Sequence, residues 1–213
     1  MEIVIDNLLP TFLEKSAVLN SEVWNKKVSF SEGGYTQIVS PSGSGKTSLI
    51  NFLYGLKKDY SGGISFNGKL LSDINIEELS RLRQTKISIV FQDLKLFDDL
   101  TCFENLIIKQ SLSNHISKDL IQEYANRLKI GSKLSNKINI CSYGERQRVA
   151  IIRSLLQPFE VLLLDEPFSH LDNRNVDIAM DLINERSKEQ NATLILADLE
   201  SNSFFNNHST LYL

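Results

Sequence analysis

Cysteine is nearly absent from this 213-residue sequence: only Cys102 and Cys141 are present, distant along the chain and in no metal-ligand spacing. That excludes a disulfide scaffold, and both thiols read as small buried apolar side chains in a reducing compartment. A surplus of one charge is lacking too, with 23 Lys and Arg against 26 Asp and Glu for a formal net charge of −3. No broad basic field exists to hold nucleic acid by charge alone. Long hydrophobic runs are also missing, since the stretch from Val161 to Leu164 stops at Asp165, well short of the roughly 18 residues that span a bilayer. The start, MEIVIDNLLP, lacks the basic n-region and apolar core of a secretory signal. A cytoplasmic chain is expected, with any membrane role supplied by a partner.

The composition itself, 42% hydrophobic and 23% charged, is that of an ordinary globular protein. A chain of this length buries roughly 70% of the surface its unfolded form exposes. One domain over residues 1–213 is expected, with a helical lobe at about 93–145. Tyr35 to Val39 reads as a buried strand running into a Gly-rich loop. Lys46 to Leu56 follows as a helix, with Leu49, Ile50, Leu53 and Leu56 on one stripe. Asn67-Gly68 within Gly63 to Leu71 signals a tight hairpin. Ile87 to Phe91 reads as a β-branched strand ending at Gln92.

From Thr101 to Lys129 the pattern is helical. Ser117 is the expected cap of a segment whose Leu120, Ile121, Tyr124 and Leu128 share a face, and Gly131 is its expected stop. Helices at Ser142–Leu156 and Asn175–Glu189 then alternate with strands at Val161–Asp165 and Thr193–Ala197. This alternation predicts an α/β fold with a mainly parallel central sheet covered on both faces.

Three segments carry chemistry. Ser40-Pro-Ser-Gly-Ser-Gly-Lys-Thr47 fits the phosphate-loop pattern G-x-x-x-x-G-K-[ST] at every fixed position but the first, where Ser40 stands for Gly. Such a loop wraps backbone N–H groups around phosphate oxygens, with Gly43 and Gly45 permitting the dihedrals this needs. The helix dipole adds to the attraction, Lys46 can reach the β- and γ-phosphates, and Thr47 offers Mg²⁺ a hydroxyl. Val161-Leu-Leu-Leu-Asp165-Glu166 is an apolar strand ending in two carboxylates. Asp165 can hold Mg²⁺ while Glu166, pointing elsewhere, can polarise a water. The third segment is Cys141-Ser-Tyr-Gly-Glu-Arg-Gln-Arg148, where Ser142 and Glu145 form an S-x-x-E capping box.

That third segment closely resembles the signature motif of ATP-binding cassette (ABC) ATPases, and with it the resemblance covers nearly the whole chain. Gln92 matches the family's Q-loop glutamine, and Ser169-His-Leu-Asp172 matches its D-loop. The segment from Glu78 through IVFQ to Leu106 further resembles the lipoprotein-release, macrolide-efflux and cell-division branch. The resemblance implies a P-loop NTPase fold with an antiparallel hairpin region and a helical signature lobe. It also implies ATP and Mg²⁺ as ligands, with Glu166, Gln92 and Lys46 catalytic and Thr47, Gln92 and Asp165 at the metal. Nucleotide contacts would come from Ser40, Pro41, Ser42, Gly43, Ser44, Gly45, Lys46, Thr47 and Ser48. Further contacts would come from Ser142, Gly144, Glu145, Asp172 and Asp198. The implied partners are a second nucleotide-binding subunit, in a homo- or heterodimer, and a separate transmembrane permease that holds the chain at the cytoplasmic face. A ribosome- or DNA-acting relative is disfavoured, because no second cassette, coiled-coil insertion or basic arm is present.

Three positions depart from the family pattern: Ser40, Tyr143 in place of the first signature glycine, and Asp198 where a histidine normally follows the last strand. A carboxylate about 4 Å from a phosphate charge is opposed by roughly 4 kcal/mol at an effective dielectric of 20. Asp198 is therefore expected to turn away, be solvated or slow catalysis. The alternative function this suggests is an ATP-gated dimerisation switch with weak or no hydrolysis. His115, His170 and His208 read as surface histidines. Phe12 is a candidate to stack on adenine, with a core position as the competing reading.

Overall fold

A computed structural model describes residues 1–13, 18–110, 118–201 and 208–213; the Ser117 cap and His115 fall outside them. The first strand, β1 (Ile3–Pro10), pairs antiparallel with β2 (Lys27–Phe30). Next come β3 (Tyr35–Val39) and the helix α1 (Lys46–Leu53). Strands β4 (Tyr60–Phe66) and β5 (Lys69–Leu70) form the expected hairpin, with Asn67 at φ 47° and Gly68 at φ 79°, the double left-handed turn that Asn-Gly favours. Beyond them lie α2 (Ile76–Thr85) and β6 (Ile87–Val90). Helices α3 (Cys102–Gln110), α4 (Lys118–Arg127) and α5 (Tyr143–Leu155) follow. The chain closes with β7 (Val161–Asp165), α6 (Asn173–Glu189), β8 (Thr193–Asp198) and β9 (Ser209–Tyr212).

Two sheets result: antiparallel β2-β1-β4-β5 and parallel β6-β7-β8-β3-β9. Period-two alternation lets the parallel sheet serve two cores at once. Val161 and Leu163 of β7, with Ile195 and Ala197 of β8, pack toward α1 and the antiparallel sheet. Leu162, Leu164, Leu194 and Leu196 face the other way, toward α5 and α6, in a cluster that also takes in Ile121, Tyr124 and Leu128 of the α4 region. Because the strands are parallel, the carboxyl ends of β3, β6, β7 and β8 fall along one edge, where α/β sheets bind ligands.

Local signals failed in four places. Helix α1 stops at Leu53, so Leu56 lies beyond Gly55 and is exposed rather than on the buried stripe. After α4 it is Lys129, not Gly131, that takes the left-handed backbone (φ 56°). Gly131 opens a short 3-10 turn instead, in close approach to the Asn126 side chain. Helix α6 begins two residues before Asn175, because the Asp172 carboxylate accepts the Asn175 N–H at 2.9 Å and caps it. Strand β1 had no counterpart in the sequence reading.

Cys102 and Cys141, remote in sequence, meet in space with sulfurs 3.6 Å apart, both buried as free thiols. Burial, then the neighbouring Cys141, pushes the Cys102 thiol up to about 12. A thiolate is the reactive form, so native protein is expected to label slowly with maleimide at pH 7, whereas unfolded protein labels fully at both sites. Fast labelling of native protein would contradict this packing.

Candidate nucleotide site

The loop between β3 and α1 is shaped by its glycines. Gly43 (φ 85°) and Gly45 (φ 99°) are left-handed, and a Cβ at Gly45 would also press on the Trp24 ring at 3.0 Å. Gly45 stands at the N-cap of α1 with no side chain to accept from the first turn. The first-turn amides are therefore left to a ligand. Ser40 is buried, and its hydroxyl pairs with that of Ser44, which in turn donates to the Pro41 carbonyl at 2.8 Å. The Gly-to-Ser departure thus adds an internal tie to the loop.

Lys46 is buried, its Nζ donating to the carbonyls of Ser40 (2.6 Å) and Pro41 (3.0 Å) and lying 3.6 Å from Glu166 Oε1. Thr47 Oγ1 donates to Gln92 Oε1 at 2.9 Å, and Gln92 Nε2 donates to Glu166 Oε2 at 3.1 Å. These groups open onto a cleft of about 230 Å³ lined by Phe12, Ser42, Gly43, Gly45, Lys46, Thr47, Ser48, Gln92 and Glu166. Phe12 is half exposed at 53%, so it is a cleft residue and not a core one.

Asp165 is buried at the end of β7, and its Oδ1 has no hydrogen-bond partner among the described residues. Burial, and then the Glu166 and Asp93 carboxylates, push its acid up to about 6 against the pull of Thr47 and Lys46. A desolvated carboxylate with one unpartnered oxygen beside the Thr47 hydroxyl is the donor set a hard divalent cation such as Mg²⁺ takes. The residues fit that ion.

Glu166 sits at φ 46°, a left-handed backbone costing on the order of 1–3 kcal/mol that its surroundings must hold. Its N–H donates to the Ala197 carbonyl at 2.9 Å, and its own carbonyl accepts from Gln147 Nε2 at 3.3 Å. Gln147, fully buried on α5, also donates to Ser169 Oγ and accepts the His170 N–H.

Ser142, Gly144, Glu145, Asp172 and Asp198 are not among the residues that line this cleft. Ser142 and Glu145 close the expected capping box, Ser142 N–H to Glu145 Oε2 at 2.8 Å and Glu145 N–H to Ser142 Oγ at 3.3 Å. The Ser142 N–H holds the Glu145 acid below its usual range, with Lys133 adding to it. Gly144 packs on the His170 carbonyl, which a Cβ would approach to 2.9 Å. Asp172 caps α6. Asp198 accepts the Leu199 N–H at 2.7 Å on its Oδ1, while its carbonyl accepts from the Ser40 N–H. That carboxylate is turned onto its own backbone and is not among the cleft-lining residues.

A family model described as ABC transporter matches residues 24–169. The chain belongs to the ABC transporter family. It is similar to the lipoprotein-releasing system ATP-binding protein LolD of Buchnera aphidicola (subsp. Schizaphis graminum), 34% identical over 194 residues spanning 89% of this chain and 84% of that one. It is also similar to the uncharacterized ABC transporter ATP-binding protein YvcR of Bacillus subtilis, 29% identical over 89% of this chain and 75% of that one. Among solved structures, the dimeric MJ0796, a bacterial ABC transporter cassette, superposes with a TM-score of 0.81 at 26% identity, over 99% of this chain and 94% of that one. The chain is an ATP-binding subunit of an ABC transporter, with the fold expected for one. No described helix is long and apolar enough to cross a membrane.

Three residues of this ABC cassette escaped sequence reasoning. Trp24, the sole tryptophan, is buried under the phosphate loop and donates its indole N–H to the Ser44 carbonyl at 3.2 Å. Gln147 ties α5 to the turn after β7. Arg153 donates to the carbonyls of Leu94 and Lys95, each at 2.6 Å, and these two residues are themselves left-handed at φ 60° and 48°. No local pattern marks such partners, because each contact joins distant parts of the chain.

Proposed function

We propose that this cassette binds Mg-ATP in the Lys46 cleft, hydrolyses it to ADP and phosphate with a second subunit completing the site, and drives a separate membrane permease. The observation that carries the reading is the Thr47–Gln92–Glu166 bridge beside Lys46 and the unpartnered Asp165 oxygen. In this reading residues 1–213 form one domain, held at the cytoplasmic face through the permease, and the helices between β6 and β7 form its signature lobe.

The loop amides and the α1 dipole receive the phosphates. Lys46 exchanges its loop carbonyls and Glu166 for phosphate oxygens. Glu166, released from Lys46, takes a proton from the attacking water, with Gln92 orienting it. Thr47, Gln92 and Asp165 would hold Mg²⁺, which would supply positive charge against the charge developing on the phosphate. In this reading Ser142, Gly144 and Glu145, which do not line their own cleft, complete the site of a second subunit. Phe12, at the rim, offers a ring face to adenine.

Steady-state phosphate release from purified protein with Mg-ATP tests the reading, and release no greater than without protein would refute it. Turnover is favoured over a silent switch because Glu166, the candidate base, is retained beside Lys46 and Gln92. Asp198→His is expected to raise kcat severalfold by replacing a residual negative field with a hydrogen-bond donor. An unchanged kcat would show that the carboxylate does not limit the rate.

A further inference from the structure

The turn after β6 is held by one helix. Helix α5 begins at Tyr143, whose hydroxyl donates to the Gln92 carbonyl at 3.2 Å. Ten residues on, Arg153 donates to the Leu94 and Lys95 carbonyls. Those donors start about 15 Å apart along a rigid rod, yet both serve the four residues Gln92–Lys95. Leu94 and Lys95 adopt left-handed backbone without being glycine, so the turn keeps this shape only because its surroundings impose it. Leu94 is buried in the same core as Val149 and Ile152 of α5. Burial lowers the Arg153 guanidinium to about 10, which leaves it charged at neutral pH.

We propose that α5 positions Gln92 from both of its ends, with Tyr143 and Arg153 as the positioning residues. The proposal rests on the reading of the cleft as an ATPase site. The backbone of Gln92 sets where its amide lies, and that amide bridges Thr47 and Glu166. Tyr143 also packs at a tilt of 46° against the His170 ring, centroids 4.1 Å apart, next to the contact of Gly144 with the His170 carbonyl. The start of α5 is thus packed against the turns that follow both β6 and β7. A shift of Ser142 and Gly144 on meeting a second subunit's nucleotide moves Tyr143, and through it Gln92. Glycine, which the family pattern has at position 143, has no hydroxyl to make this link. In this chain the tie between signature and glutamine is direct.

The test is a double-mutant cycle joined to an exchange measurement. Tyr143→Phe keeps the ring contact with His170 and deletes only the hydroxyl. It is expected to lower kcat about three- to tenfold with the KM for ATP within about twofold. In a Gln92→Ala background the same change is expected to have no further effect on kcat, because the backbone carbonyl that accepts from Tyr143 remains but the amide it positions is gone. A full additional loss in that background, or an unchanged kcat, would overturn the proposal. In nucleotide-free protein, hydrogen exchange at the Leu94 and Lys95 amides, which donate within the turn to Phe91 and Asp93, is expected to quicken in Tyr143→Phe. It should also quicken in Arg153→Lys, which cannot reach both carbonyls. Unchanged exchange in both variants would overturn the proposal even if wild-type turnover were undetectable, an outcome that would sink only the hydrolysis reading.

Discussion

Glu166→Gln is expected to cut phosphate release by at least two to three orders of magnitude, the loss typical of removing a general base, while leaving ATP binding no weaker than in the wild type. The amide is nearly isosteric, so the left-handed turn at φ 46°, its N–H bond to Ala197 and its carbonyl contact with Gln147 all survive the change. What goes is the negative charge. The free carboxylate lies 3.6 Å from Lys46 Nζ and competes with an incoming phosphate for that ammonium. Its removal releases Lys46 to the nucleotide and, by the same step, deprives the water of a proton acceptor. The variant should therefore hold ATP and persist as a nucleotide-bound dimer, seen as an ATP-dependent shift in gel filtration. Wild-type rates in the variant would move the catalytic base elsewhere.

The cleft and the start of α5 are largely readable in the sequence because their parts depend on local conformation. Gly43 and Gly45 announce left-handed backbone, Ser142 and Glu145 announce a capped helix start, and the apolar run before Asp165 announces a strand that must end at the sheet edge. Each is decided within a few residues, and each stands as expected. The parallel sheet follows from the same economy, since β7 and β8 carry apolar residues on both faces and only a two-sided core accommodates that.

What escaped was decided at long range. Leu94, Lys95 and Glu166 take left-handed backbone although none is Asn or Gly, and what imposes it is Arg153, Gln147 and strand pairing. Trp24 gives no local sign that it will lie beneath the phosphate loop twenty residues later. Gly131 misled because a stop signal names a neighbourhood and not a position: Lys129 made the left-handed turn first, and Gly131 was needed for its close approach to Asn126. Phe12 could not be separated from a core phenylalanine by hydrophobicity alone, since only the tertiary structure shows it half exposed at the cleft rim.

Asp165→Asn is expected to stabilise the metal-free protein and to abolish the further stabilisation that Mg²⁺ adds to ATP. Burial lifts the Asp165 acid in the folded chain from 3.8 to about 6. A folded value above the unfolded one means that the native state binds the proton more tightly. The stability this contributes is present below the unfolded value and is lost as pH rises through about 6. At pH 7.5 the metal-free wild type therefore carries a desolvated charge whose Oδ1 lacks a partner, at a cost on the order of 2–3 kcal/mol. Asparagine removes the charge at constant shape, and for a chain of this length each kcal/mol moves the melting temperature by roughly 2–4 °C. Melts at pH 7.5 should thus show the variant higher without metal and unmoved by Mg²⁺ added to ATP, whereas the wild type gains from that addition. Below about pH 6 the wild type should lose the gain as well, because the proton and the cation compete for one oxygen. A variant that melts lower than the wild type without metal would show that Asp165 is held by contacts its negative charge makes, and its role as an ion ligand would have to be reassigned.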